Sequence, residues 1–194
     1  VDAELKGKLE PATGMWKPLL YRALVALVFG LVTVFWQNPS TTVMSVAGGL
    51  YLVGTAFAVL LLDLSFSTSD GRIKRTLRVE HLGLLALSVF ALSVHQTWAF
   101  VAAASAGLGI AGLCELYLGW THRRRLVLAR DWLLTGAVNT AAAVILPFFA
   151  TLEAHALLGV IGGSAIIIGV MLLLAALTYR HEASAPAGSA EAVN

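Results

Sequence analysis

The side chains best placed to do chemistry are charged groups set in apolar sequence. Apart from isolated serines, the chain between Val79 and Trp120 is apolar except at Glu80, His81, the group His95-Gln96-Thr97, and Glu115. Glu115 precedes Arg123 by eight residues, about 12 Å along a helix at 1.5 Å per residue. A carboxylate at such a depth in a bilayer is costly and is a functional candidate by default. Two readings of Glu115 stand side by side. It is either a proton-binding or substrate-binding carboxylate, or a structural partner for Arg22, which opens the first apolar run at a similar depth. Arg22, Glu80 and Asp131 fall at the starts of the first, third and fifth apolar segments, where opposite charges would join three parts of the chain in one ion network. Arg22 has the length to snorkel to water instead, and Asn139, in the fifth segment, suits an interhelical hydrogen bond.

Other chemistries find little support. The five histidines are scattered and no pair has the i, i+4 spacing of a helical metal site. No metal, haem or other cofactor is therefore expected. Lys6, Lys8, Lys17 and Lys74 all fall outside the expected spans, so none would form a buried Schiff base. No Ser-His-Asp set or P-loop is present, and no catalytic residue is assigned. Cys114 is the only cysteine, which leaves no internal disulfide and no multi-cysteine metal site. His95 and His155, the latter near Glu153, fall in short turns and are candidate pH sensors, because histidine is the side chain that ordinarily changes charge between roughly pH 5 and 8.

These residues have to be positioned by helices in lipid. The chain has 194 residues, 58% of them hydrophobic and 12% charged, with a mean hydropathy of +0.82, beyond what a soluble domain of this size can bury. A helix needs about 20 apolar residues to cross the hydrocarbon core. Six spans follow, as three helical hairpins at about 19–62, 79–120 and 131–179, joined on one side by polar loops at 63–78 and 121–130. The opposite turns lie near Gln37 to Thr41, His95 to Thr97 and Ala150 to Ala154. Residues 1–18 form an N-terminal segment without the pattern of a cleavable signal peptide, and the tail 180–194, rich in Ala and Ser, reads as disordered. Nothing alternates with period two over ten-residue segments, which excludes a strand barrel. The expected class is an all-α polytopic membrane protein.

An internal repeat accompanies the hairpins. Gly49 and Gly54, Gly107 and Gly112, and Ser164 and Gly169 fall in register in the three second helices. Ser45 with Gly49, Ala103 with Gly107, and Gly159 with Gly163 add small-xxx-small spacing, which lets helix backbones approach closely. The expectation is three equivalent hairpins whose second helices pack centrally.

With six spans, all thirteen Lys and Arg residues fall on the side of the termini. The positive-inside rule then places both termini in the cytoplasm. Trp16, Trp36, Trp98, Trp120 and Trp132 lie near the expected helix ends, as an aromatic belt requires. The bilayer itself is the expected partner, with anionic lipid at the basic loops and a homo-oligomer or larger membrane complex as further options. No nucleic-acid partner is expected.

The run from Arg22 through Gly30, the turn Trp36-Gln37-Asn38-Pro39, and Gly48-Gly49-Leu50-Tyr51 with Gly54 resemble the repeat of the HdeD-like acid-resistance membrane proteins. That repeat has an arginine at the helix start, a mid-helix glycine, a turn proline and a glycine-bearing return helix. The resemblance extends over roughly Leu19 to Tyr179 and is clearest in the first hairpin. It implies six spans, a bacterial inner (plasma) membrane location and a link to acid stress, and it carries over no catalytic residue. The middle hairpin departs from the pattern in having no turn proline. In the third, Pro147 lies just inside the helix end and Asn139 sits near the glycine position. On the residues alone, the leading function is a non-enzymatic membrane protein serving membrane integrity or stress response. A small proton-coupled transporter or channel using Glu115 and a membrane-embedded enzyme acting on lipid are the alternatives.

Overall fold

A computed structural model describes residues 12–66 and 70–184. The elements are α1 (Ala12–Phe35), α2 (Thr41–Ser65), α3 (Gly71–Ser93), α4 (Thr97–His122), α5 (Ala129–Ile145), a single 3-10 turn (Leu146–Phe149), and α6 (Ala154–Ser184). All six α-helices are long and apolar enough to cross a membrane, and no strand occurs among the described residues. The chain is an all-α, multi-pass integral membrane protein.

Local chemistry sets the helix ends. Ser40 accepts a hydrogen bond from the Val43 backbone N–H at 3.2 Å and so caps α2. Asp70 accepts from the Arg72 N–H at 2.9 Å and caps α3. Both satisfy donors that the first helical turn leaves free. The Asp70 cap moves the start of α3 back to Gly71, so Arg72, Lys74, Arg75 and Arg78 lie on the first turns of a helix and not in the expected 63–78 loop. Likewise α1 begins at Ala12, ahead of the expected start near Leu19, and runs through Lys17 and Pro18, and α6 continues through Arg180 to Ser184. Lys17 and Lys74 therefore sit on helices, outside the buried core. The expected disordered tail is helical at 180–184, and its remainder lies outside the described residues, as do residues 1–11 of the N-terminal segment.

The tightest helix pairing runs between hairpins. The most extensive interface joins α1 to α6, followed by α4 with α5 and α2 with α3. Pairs within a hairpin are less extensive. Each second helix thus lies against the first helix of the following hairpin, and α6 returns to α1 and closes the ring. Second helices are more buried than their hairpin partners, most clearly α4 at 56% against α3 at 28%. Direct packing among the second helices themselves is slight, which narrows the expected central packing to an inner position within the ring.

Glycines make the two closest crossings. A Cβ at Gly112 would lie 2.9 Å from the Gly136 carbonyl oxygen, and one at Gly136 would lie 2.9 Å from the Gly112 carbonyl oxygen. Gly119 meets the Ala129 carbonyl of α5 at 2.8 Å in the same sense. On the other side, Gly30 of α1 approaches the Gly162 carbonyl, Gly162 abuts Thr33, and Gly169 faces Leu27. Backbone contacts of this kind leave no flexible side chain to yield, so only glycine fits without moving a helix.

The repeat in sequence does not become a repeat in contact. Gly54 faces Val25 of its own hairpin, whereas Gly112 and Gly169 face the next helix in the ring. Gly49 meets Leu92, Gly107 meets Leu52 and Leu84, and the Ser164 hydroxyl donates to the Ile161 carbonyl of its own helix at 2.7 Å. Nothing lies within 4 Å of a Cβ at Gly159 or Gly163, so that small-xxx-small pair marks no helix contact among the described residues. The tryptophans also divide. Trp36, Trp98 and Trp120 are exposed, while Trp132 is buried and stacked against Phe66 with ring centroids 6.0 Å apart. It belongs to the core and not to a lipid-facing belt.

Candidate functional site

Five helices place polar groups in one buried region. Arg22 (α1) ion-pairs with Glu115 (α4) through Nη1 and Oε1, and Asn139 Nδ2 (α5) donates to Glu115 Oε2 at 3.2 Å. Both oxygens of Glu115 are therefore engaged. Glu80 (α3) interacts electrostatically with Glu115 and Arg22, yet neither of its carboxyl oxygens has a hydrogen-bond partner among the described residues. Tyr51 (α2) completes the set, within electrostatic reach of Arg22 and Glu115 and stacked on Phe29 with ring centroids 4.4 Å apart. Arg22, Glu80 and Glu115 are 6%, 1% and 0% exposed.

Depth explains which residues meet. Arg22, Glu80, Glu115 and Asn139 lie seven to ten residues from the described helix or span ends on the arginine-rich side, about 10 to 15 Å into the bundle. Asp131 is the third residue of α5 and remains near that end. It accepts a hydrogen bond from the Tyr179 hydroxyl of α6 at 2.5 Å. The expected network of Arg22, Glu80 and Asp131 is thus corrected: Glu115 takes the place of Asp131. Glu80 is also no helix-start residue, because the Asp70 cap begins α3 nine residues earlier.

The histidines form no common site. His95 is exposed in its turn, as is Glu153 beside α6. His155 Nδ1 lies 3.1 Å from the Trp36 carbonyl oxygen and links the turn ends of the first and third hairpins. At the opposite end, buried His122 bridges the Leu118 carbonyl, 3.1 Å from Nδ1, and Asp70 Oδ2, 3.2 Å from Nε2. The Arg72 backbone N–H, and next the His122 side chain, hold the Asp70 carboxyl below the usual carboxylate range. Among the described residues no three side chains converge as a metal site.

Two depressions are among those on the surface of the bundle. One, of about 570 Å³, is an apolar groove between α1 and α2 lined by residues such as Leu24, Val28, Tyr51 and Gly54. The other, of about 610 Å³, lies by the start of α3 and is lined by Asp70, Arg72, Arg75, Thr76 and Tyr117.

Tyr51, Asp70, His122 and Tyr179 were not among the residues singled out as a site in the sequence. Neither were Gly119, Gly136 and Gly162 singled out for packing. One signal was legible: Gly112 with Gly119 and Gly162 with Gly169 are each seven residues apart, about two turns, which puts each pair on one helix face. The tyrosines and His122 carry no such spacing. No family model matches the chain, and searches of curated proteins and of solved structures return no match.

Proposed function

We propose that this is a non-enzymatic membrane protein of the HdeD-like kind, in a bacterial inner (plasma) membrane with both termini cytoplasmic, contributing to membrane integrity under acid or other stress. The observation that supports this reading most is the sealing of its charged groups. The most deeply placed ionisable side chains are 0 to 6% exposed and engage one another across helices. A transport carboxylate needs contact with water on at least one side in each working state. Charges packed against each other instead tie helices together. The resemblance in the first hairpin supplies the link to stress and the orientation follows from the distribution of arginine.

The test is a strain lacking the protein, compared with one complemented by the wild-type chain. Lower survival and greater leakage of a polar dye after acid exposure, both restored by complementation, are expected. Unchanged survival and leakage would remove the stress reading. A second arm places purified protein in liposomes under a pH gradient. No protein-dependent proton flux is expected, and a flux abolished by Glu115→Gln would make the proton-coupled transporter the better reading.

A further inference from the structure

We propose that the buried cluster binds one exchangeable proton, held by its carboxyl pair Glu80 and Glu115. This goes beyond the membrane-integrity reading and does not depend on it. The groups facing the site can be counted helix by helix. α1 brings Arg22, α2 brings Tyr51 and Thr55, α3 brings Glu80, α4 brings Glu115 and Cys114, and α5 brings Asn139. α6 adds apolar Ile168 and Leu172 to the core shared with Ala23, Leu84 and Leu118. One guanidinium therefore stands against two carboxyl groups.

Donors are as short as positive charge. Arg22 Nη1 ion-pairs with Glu115 Oε1 and Asn139 Nδ2 donates to Glu115 Oε2, whereas neither oxygen of Glu80 has an ion-pair or hydrogen-bond partner among the described residues. A buried carboxylate without a donor, within electrostatic reach of a second carboxylate, carries a large cost of desolvation and repulsion. One proton removes both defects. Glu80 and Glu115 as two carboxylates plus H⁺ become one carboxylate and one carboxylic acid, which balances Arg22 and supplies an O–H where no donor exists. No electron moves and no bond between heavy atoms changes. A metal cation fits poorly, because calcium takes six to eight oxygens at about 2.3–2.6 Å and among the described residues no metal-binding group converges here.

The experiment is infrared spectroscopy of the full chain in phosphatidylcholine nanodiscs at pH 7.5. A protonated-carboxyl C=O band that shifts after long equilibration in D₂O, as local opening lets the sealed site exchange, is expected in wild type. It should vanish in Glu80→Gln, and equally in Glu115→Gln, where Glu80 becomes the partner of Arg22. It should persist in Asp131→Asn. Dicyclohexylcarbodiimide, which modifies protonated carboxyl groups in apolar surroundings, should give one adduct per chain, mapped by mass spectrometry to Glu80 or Glu115. No band and no adduct in wild type, or a band that survives Glu80→Gln and is lost in Asp131→Asn, would overturn the proposal. The wild-type measurement decides even where a variant fails to fold. Proton flux in liposomes would sink the sealed-bundle reading while leaving this site in place.

Discussion

At the level of Glu115, helices α1, α3, α4 and α5 meet through charges and a hydrogen bond. Where α4 crosses α5 and α6 crosses α1 they meet through glycines, backbone against backbone. Both regions face the same difficulty, since lipid tails are as apolar as any core and supply little drive for helices to associate. The polar region answers with strong, distance-tolerant attractions whose energy depends on every partner being present. The glycine crossings answer with many weak contacts that depend only on shape. One region is therefore vulnerable to removing a group, and the other to adding one.

The largest effect is expected from unbalancing the charges. Arg22→Leu leaves Glu80 and Glu115 buried without a cation, and breaking a buried pair costs about 3–5 kcal/mol. Thermal unfolding in mild detergent should show it as a large fall in midpoint. The double change Arg22→Leu, Glu115→Leu should recover much of the loss, because a well-packed apolar replacement is often neutral. If single and double variants melt alike, the pair carries no coupling and the polar region is no different from its surroundings.

Adding atoms at a crossing comes next. Gly136→Val would drive side-chain carbon into the Gly112 carbonyl and the Leu116 backbone N–H, each already within 2.9 Å of a Cβ, and overpacking costs about 1–3 kcal/mol. Gly163→Ala is the control, with nothing within 4 Å, and should be neutral or stabilise by up to about 1 kcal/mol, since glycine inside a helix is that much less favourable than alanine. Equal tolerance at both positions would mean that the crossing is looser than its geometry.

Asn139→Ala probes the polar region without touching its charges. It removes the donor to Glu115 Oε2, and interhelical hydrogen bonds in membranes average about 0.6 kcal/mol with a maximum near 1.7. A loss in that range, measured by the same melts, would separate the hydrogen bond from the ion pair. A loss as large as that of Arg22→Leu would show that the cluster acts as one unit.

The smallest effect lies outside the membrane layer, at Asp70. Its folded-state carboxyl titrates below the unfolded value because the Arg72 N–H and His122 favour the charged form. Its contribution to stability is present above the unfolded value, about 3.9, and is lost as pH falls through the lower folded one. Wild type should lose slightly more stability than Asp70→Asn between about pH 5 and 3. Parallel curves for the two proteins would show that the cap and the His122 contact add nothing over this range.

The sequence alone determined the class of solvent, the six spans and the even placement of basic residues on one side, because hydropathy and charge are properties of single residues summed over short windows. It also reached Glu115 and Arg22, since a charge in an apolar run is visible without knowing what lies across from it. Tertiary structure decided the partners. Glu80 joined the pair and Asp131 did not, because depth is counted from helix ends and a single cap at Asp70 moved one of those ends. Gly112 and Gly54 match in the repeat yet face different neighbours, because which face of each helix turns inward is set by the helices packed against it. A lipid-facing side is as apolar as a packed one, so periodicity carries no mark of that choice until the helices are assembled.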